Sequence, residues 1–208
     1  MAKDNGAKQR AAEKRRRREI EMRRKKSQAR QPTAEAGETQ KALAVKDLPI
    51  VECVISEGWE ERGLAHILLV RRLPDGNVMV GGFYVDTLCL GIKDSALLEK
   101  VTEEDYRSGI KPAIFNDPVT LVDCDPVLAR AVALGAENFA SRFGFKPGKR
   151  WSAARTIFAD IEQMDVPPVF GREGKPCYVK RDETNGAAIE AKLARMAGPG
   201  NYLVREGS

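Results

Sequence analysis

The sequence predicts an α+β fold: an antiparallel β-meander or mixed sheet packed by three to four helices, behind a disordered or frayed-helical basic N-terminal tail. Three observations lead there. The longest apolar run, Ala65 to Asp94, reads as two long strands joined by a tight turn. Pro126 to Phe143 carries an apolar stripe at helical spacing. The first 31 residues hold thirteen Lys and Arg against four acids, a net of +9, so residues 32 to 208 hold 22 basic against 26 acidic, a net of −4. The expected organisation is a tail over 1–31, a linker over 32–47 and one globular α+β domain over 48–208.

In the tail, Lys14, Arg15, Arg16, Arg17 and Arg18 are followed by Arg23, Arg24, Lys25 and Lys26. A like-charged block this dense cannot bury itself. Glu13 to Arg17, Glu19 to Arg23 and Glu21 to Lys25 are acid-first i,i+4 pairs, each worth about 0.2–0.5 kcal/mol, which supports transient helix. Only Ile20 and Met22 are large and apolar there, so no stripe docks such a helix. Polyanion binding needs no folded site, because each Lys or Arg that meets a phosphate releases a counterion. RNA is the expected polyanion, with Lys14 to Arg18 and Arg23 to Lys26 as the nucleic-acid-binding set. The competing accounts are a solubilising tail, a nuclear address and an anionic membrane surface, the last weakened by the missing hydrophobic face. Residues 32–47 have linker composition.

Pro49 to Ile55 is a first strand, and Ser56 to Gly63 a polar turn in which Trp59 is expected to be exposed. The hairpin follows, with arms Ala65 to Leu73 and Val78 to Ile92. Pro74-Asp75-Gly76-Asn77 supplies the turn, since Pro presets φ and Gly and Asn accept positive φ. Neither arm alternates cleanly, so both faces of the ribbon should be covered. Asp94-Ser95 then offers an N-cap for a helix over Ala96 to Val101, resuming at Glu103 to Arg107 and ending at Gly109 to Pro112. Val119 to Val122 reads as a short strand.

Asp125 caps the next helix, with Pro126 at its first position. Leu128, Val132, Gly135, Ala136, Phe139 and Phe143 are its expected inner face. A further helix runs from Trp151 to Ile161, with Trp151, Ala154, Ile157, Phe158 and Ile161 inward. A β segment around the turn Gly171 to Gly174, a helix over Asn185 to Met196 and an edge strand over Tyr202 to Val204 complete the chain.

No catalytic signature stands out. Asp86, in an apolar strand, needs a partner or a wet cleft if ionised, which makes it the first site candidate. Pairing Pro74 with Asn77 sets His66 opposite Val85, and a bulge at Gly81-Gly82 would bring His66 opposite Asp86. Such a pair is either an acid–base dyad or a satisfied hydrogen bond. Asp123 with Asp86 and Glu52 or His66 suggests a metal- or acid–base-dependent, nuclease-like hydrolase as the alternative function, although Asp123 and Asp125 also suit a helix N-terminus. Gly144 to Arg150 lacks phosphate-loop spacing and leaves Lys146, Lys149, Arg150 and Arg155 as a small basic patch.

Four cysteines, at spacings of 36, 35 and 53, and a single His exclude a disulfide framework and a zinc knuckle. Buried reduced thiols are expected, with no cofactor and no metal. No apolar run has membrane-spanning length, the N-terminus lacks a secretory core, and its acids argue against a transit peptide. A cytoplasmic location is the resulting expectation.

Overall fold

Val, Ile and Leu dominate the stretch Ile50 to Val101 on both strand faces, and in the computed structural model this stretch becomes a four-stranded meander. The structure describes residues 45–115, 119–181 and 185–207. The expectations for the basic tail fall outside these residues. Strands β1 (Ile50–Ser56), β2 (Leu64–Arg72), β3 (Val78–Asp86) and β4 (Gly91–Val101) are successive antiparallel neighbours, and β5 (Leu121–Asp123) pairs with the free side of β1. The sheet order is β4-β3-β2-β1-β5. Helices cover it, so the fold is α+β.

Both faces are covered, as the unalternating arms require. On one face Ala65, Ile67, Leu69, Phe83 and Val85 pack against helix α4 (Pro126–Ser141), helix α5 (Trp151–Ala154) and the 3-10 turn Arg155–Phe158. On the other, Val54, Leu68, Val70, Val78 and Val80 meet Tyr106, Ile110 and Ile114. Tyr106 and Ile110 belong to a helical run made of α2 (Glu103–Asp105), the π-helical turn Tyr106–Ile110 and α3 (Lys111–Ala113), and Ile114 is its C-cap. The one-residue register shift that a π-turn introduces suits a segment pinned at both ends. Here the pins are the Tyr106 hydroxyl, which donates to Glu52 Oε2 at 2.8 Å, and the Lys111 ammonium on Glu52 Oε1. The expected stop at Gly109 to Pro112 does not occur.

Three strand expectations are corrected. The second arm is two strands, because the Asp86 carboxylate accepts the Leu88 and Cys89 N–H groups at 2.9 and 2.8 Å and turns the chain into β4. The helix expected over Ala96 to Val101 is therefore the outer half of β4. Leu97 packs on one face of the sheet and Leu98 on the other, a division open to adjacent residues in a strand, and this burial overrides the helical preference of Ala and Leu. The β2–β3 turn has three residues, Pro74 to Gly76, closed by Leu73 N–H donating to Asn77 O at 2.8 Å, with Gly76 at φ 86°. The extra residue sets His66 opposite Tyr84 and Asp86 opposite Leu64.

The bulge expected at Gly81-Gly82 is absent, and β2 and β3 pair without a break from Leu64↔Asp86 to Arg72↔Val78. A Cβ on Gly81 would stand 3.1 Å from Ile157, and one on Gly82 2.7 Å from Ile114. The two glycines thus admit a helix residue onto each face of the sheet.

Trp59, expected in an exposed loop, is 7% exposed and starts the short helix α1 (Trp59–Arg62). In α4 the buried edge is Ala129, Val132, Ala133, Ala136 and Ala140, turned away from the expected stripe, so Phe139 is half-buried and contacts Phe143 and Phe170. The cap holds as expected: Asp125 Oδ1 accepts Val127 N–H at 2.8 Å. The C-terminal strand β7 (Leu203–Glu206) joins no edge of the main sheet. It pairs in parallel with β6 (Cys177–Lys180) through helix α6 (Gly186–Met196). Around that unit Cys89, Tyr178, Ile189 and Leu193 form a third core cluster, while Met196, expected inward, is exposed. Packing reaches back to Val45, which is buried in the main cluster, within the expected linker.

Candidate functional site

The residues singled out in the sequence stand on four different strands, Glu52 on β1, His66 on β2, Asp86 on β3 and Asp123 on β5. Asp86 is 2% exposed at the end of β3, where its backbone acceptances build the turn and Arg181 Nη1 lies 3.9 Å away. Burial drives its carboxyl above the usual range, against the lowering effect of those N–H groups and of Arg181. His66 stands on the same sheet face at the diagonal position. Its ring stacks on Tyr84 at 4.6 Å and meets Phe115 edge-on at 4.8 Å. Glu52 is taken by Tyr106 and Lys111. Asp123 is exposed on β5 opposite Val54. Among the described residues no three His, Cys, Asp or Glu side chains converge as metal ligands. Asp86 builds a turn, His66 lies in an aromatic stack and Glu52 anchors the π-turn.

The basic patch is likewise divided. Arg150 pairs with Asp94 at 2.6 Å, and Arg155 pairs with Glu137 at 3.6 Å while lying over the Trp151 ring. Lys146 instead borders a hollow of about 270 Å³ with Lys93 and Lys192, floored by Leu90, Phe145 and Ile189.

A larger cleft was not anticipated. It measures about 570 Å³ and lies between α4 and the irregular segment 163–174. Arg130, Leu134, Asn138 and Arg142, at successive i,i+4 positions, form one wall; Gln163, Met164, Pro167, Pro168 and Phe170 form the other. Neither Arg130 nor Arg142 has an ion-pair partner among the described residues, so the cleft presents two guanidiniums, each with five donors, beside an apolar floor. Such a wall suits a carboxylate or phosphate attached to an apolar body. The i,i+4 spacing was present in the sequence, but which helix face it occupied was decided by the alanine edge turning inward.

Among the described residues no helix is long and apolar enough to cross a membrane. Compared with protein-family models, curated proteins and solved structures, the chain matches none.

Proposed function

We propose that the protein is an RNA- or ribosome-associated binding module that neutralises phosphate with the basic arm of residues 1–31. The observation that carries this reading is the partition of charge: net +9 in the first 31 residues against net −4 in the rest. An acidic body repels a phosphate backbone, so affinity must come from the arm, where Lys14, Arg15, Arg16, Arg17, Arg18, Arg23, Arg24, Lys25 and Lys26 are concentrated. The ion pairs of Arg150 and Arg155 support the same reading, because they remove two of the four cations of the body's own basic patch.

The test compares the full chain, a version beginning at Val45 and a full-length variant with Arg15→Gln, Arg16→Gln, Arg17→Gln and Arg18→Gln. Each is titrated with unstructured and structured RNA. The expected result is binding by the full chain, loss of most affinity in the four-Gln variant and none in the truncated form. Equal affinity from all three would reduce the arm to a solubilising segment.

A further inference from the structure

We propose that Cys53 and Cys124 are a redox-active dithiol that closes into a reversible cross-strand disulfide by exchange with a small-molecule disulfide. The β1–β5 register runs Ser56↔Leu121, Ile55↔Val122, Val54↔Asp123. One further step sets Cys53 opposite Cys124, and the Cys124 N–H donates to the Cys53 carbonyl at 2.9 Å. Directly opposed residues joined in this way have Cα atoms about 5.5 Å apart and side chains on the same face. A disulfide spans about 4.4–6.8 Å between Cα atoms, so this separation is within its reach.

The surroundings divide the two thiols by role. Cys53 is 8% exposed, whereas Cys124 is partly open to solvent, at the outer strand of the sheet. Cys124 also precedes Asp125, the cap of the sixteen-residue α4, where the Ala129 N–H favours a thiolate and the Asp125 charge opposes it. Contact with the Cys53 thiol lowers the Cys124 thiol and raises that of Cys53, so the pair shares its first ionisation with the charge on Cys124. In the neutral pair Cys124 Sγ donates to Asp125 O at 3.3 Å.

The exchange balances in two steps. The Cys124 thiolate attacks one sulfur of RSSR, the S–S bond breaks, and RS⁻ leaves and takes up a proton. The charge on Cys124 is then gone, and with it the largest cause that holds the Cys53 proton. Cys53 sulfur, deprotonated to the second leaving RS⁻, attacks Cys124 sulfur in the mixed disulfide. Overall two protein thiols lose two electrons to RSSR, giving one protein disulfide and two RSH. Cys89 and Cys177 are both fully enclosed, and burial raises both thiols, so they provide an internal comparison.

The experiment equilibrates the full chain in glutathione buffers of graded oxidised-to-reduced ratio, quenches with acid, alkylates free thiols and maps the peptides. The expected result is a Cys53–Cys124 link that forms with rising oxidised glutathione and reverses with excess reduced glutathione, while Cys89 and Cys177 remain alkylatable after unfolding. Cys53→Ala should accumulate glutathione on Cys124, and Cys124→Ser should leave Cys53 unmodified. The oxidised form should melt about 5–10 °C higher, since the link closes a long loop. Cys53 and Cys124 both free under the most oxidising buffer would overturn the proposal. So would a stable glutathione adduct on wild-type Cys124 without closure, or a Cys89–Cys177 link forming first. The wild-type map decides the question even where a variant folds poorly.

Discussion

Arg71, in the middle of the sheet, and Asp160, just past the 3-10 turn, form an ion pair that ties β2 to the helical layer. Arg71 is 1% exposed, and all of its contacts are made: Nε donates to Ile157 O at 2.9 Å, Nη1 to Leu48 O at 2.7 Å, and Nη2 to Asp160 Oδ1. Asp160 Oδ2 also accepts the Asp47 N–H at 3.1 Å. One carboxylate thus fastens the start of the body, the sheet and the α5 turn. Burial alone would raise the Asp160 carboxyl, but Arg71 and the Asp47 N–H outweigh it and hold the group below the usual range.

Asp160→Ala leaves a buried guanidinium with two backbone acceptors and no counter-charge. It should cost about 3 kcal/mol, and Arg71→Met, which removes both charge and donors, should cost less. Urea unfolding of both variants checks the order. A larger loss for Arg71→Met would show that stem packing, not the unpaired charge, dominates.

The same pair sets a pH dependence. A carboxyl whose folded pKa is depressed contributes its stability above the unfolded value and loses it as pH falls through the folded value. The gap in unfolding free energy between wild type and Asp160→Asn should therefore be full above the ordinary value of 3.8 and shrink as pH falls below it. A gap that widens in acid would contradict the pairing.

Asp86 should behave in the opposite sense. Its folded pKa is raised, so its contribution is fully present below the ordinary carboxylate value and is lost as pH rises through the folded one. Asp86→Asn keeps an acceptor for Leu88 and Cys89, so its deficit relative to wild type should narrow with rising pH. Unfolding midpoints over a pH series measure this, and a widening deficit would show that the charge on Arg181 governs the site.

In α4, Phe139 is half-buried, so Phe139→Ala should cost about 2 kcal/mol rather than the 3–5 of a fully enclosed ring. Ala136→Leu should cost about 1–3 kcal/mol by overpacking, because the helix sits on Gly91, where even a Cβ would come within 3.0 Å of Ala136 O. Thermal midpoints unchanged by Ala136→Leu would place the alanine edge elsewhere.

If the arm binds RNA by neutralisation, its log affinity should fall linearly with log salt, with a slope of about −0.7 for each phosphate contacted on a single strand, and little sequence preference. Titrations of the full chain at several salt concentrations check it. A flat salt response would contradict neutralisation by the arm.

The sequence by itself determined what depends on local chemistry. Asp125-Pro126 marks a helix start because an N-cap acceptor and a preset φ act within a few residues of chain. The unalternating apolar arms required cover on both faces, and the charge partition of tail and body is a matter of counting. What the tertiary structure decided depends on which distant group arrives. Ala96 to Leu98 have helical preference, yet they pair with Gly82, Gly81 and Val80 because β3 offers an open edge and both faces offer burial. One extra turn residue, Pro74, decided that His66 stands opposite Tyr84. Cys53 meets Cys124, and Arg71 meets Asp160, across separations of 71 and 89 residues, and no local pattern encodes such meetings, since the partner is fixed only once the strands and helices pack.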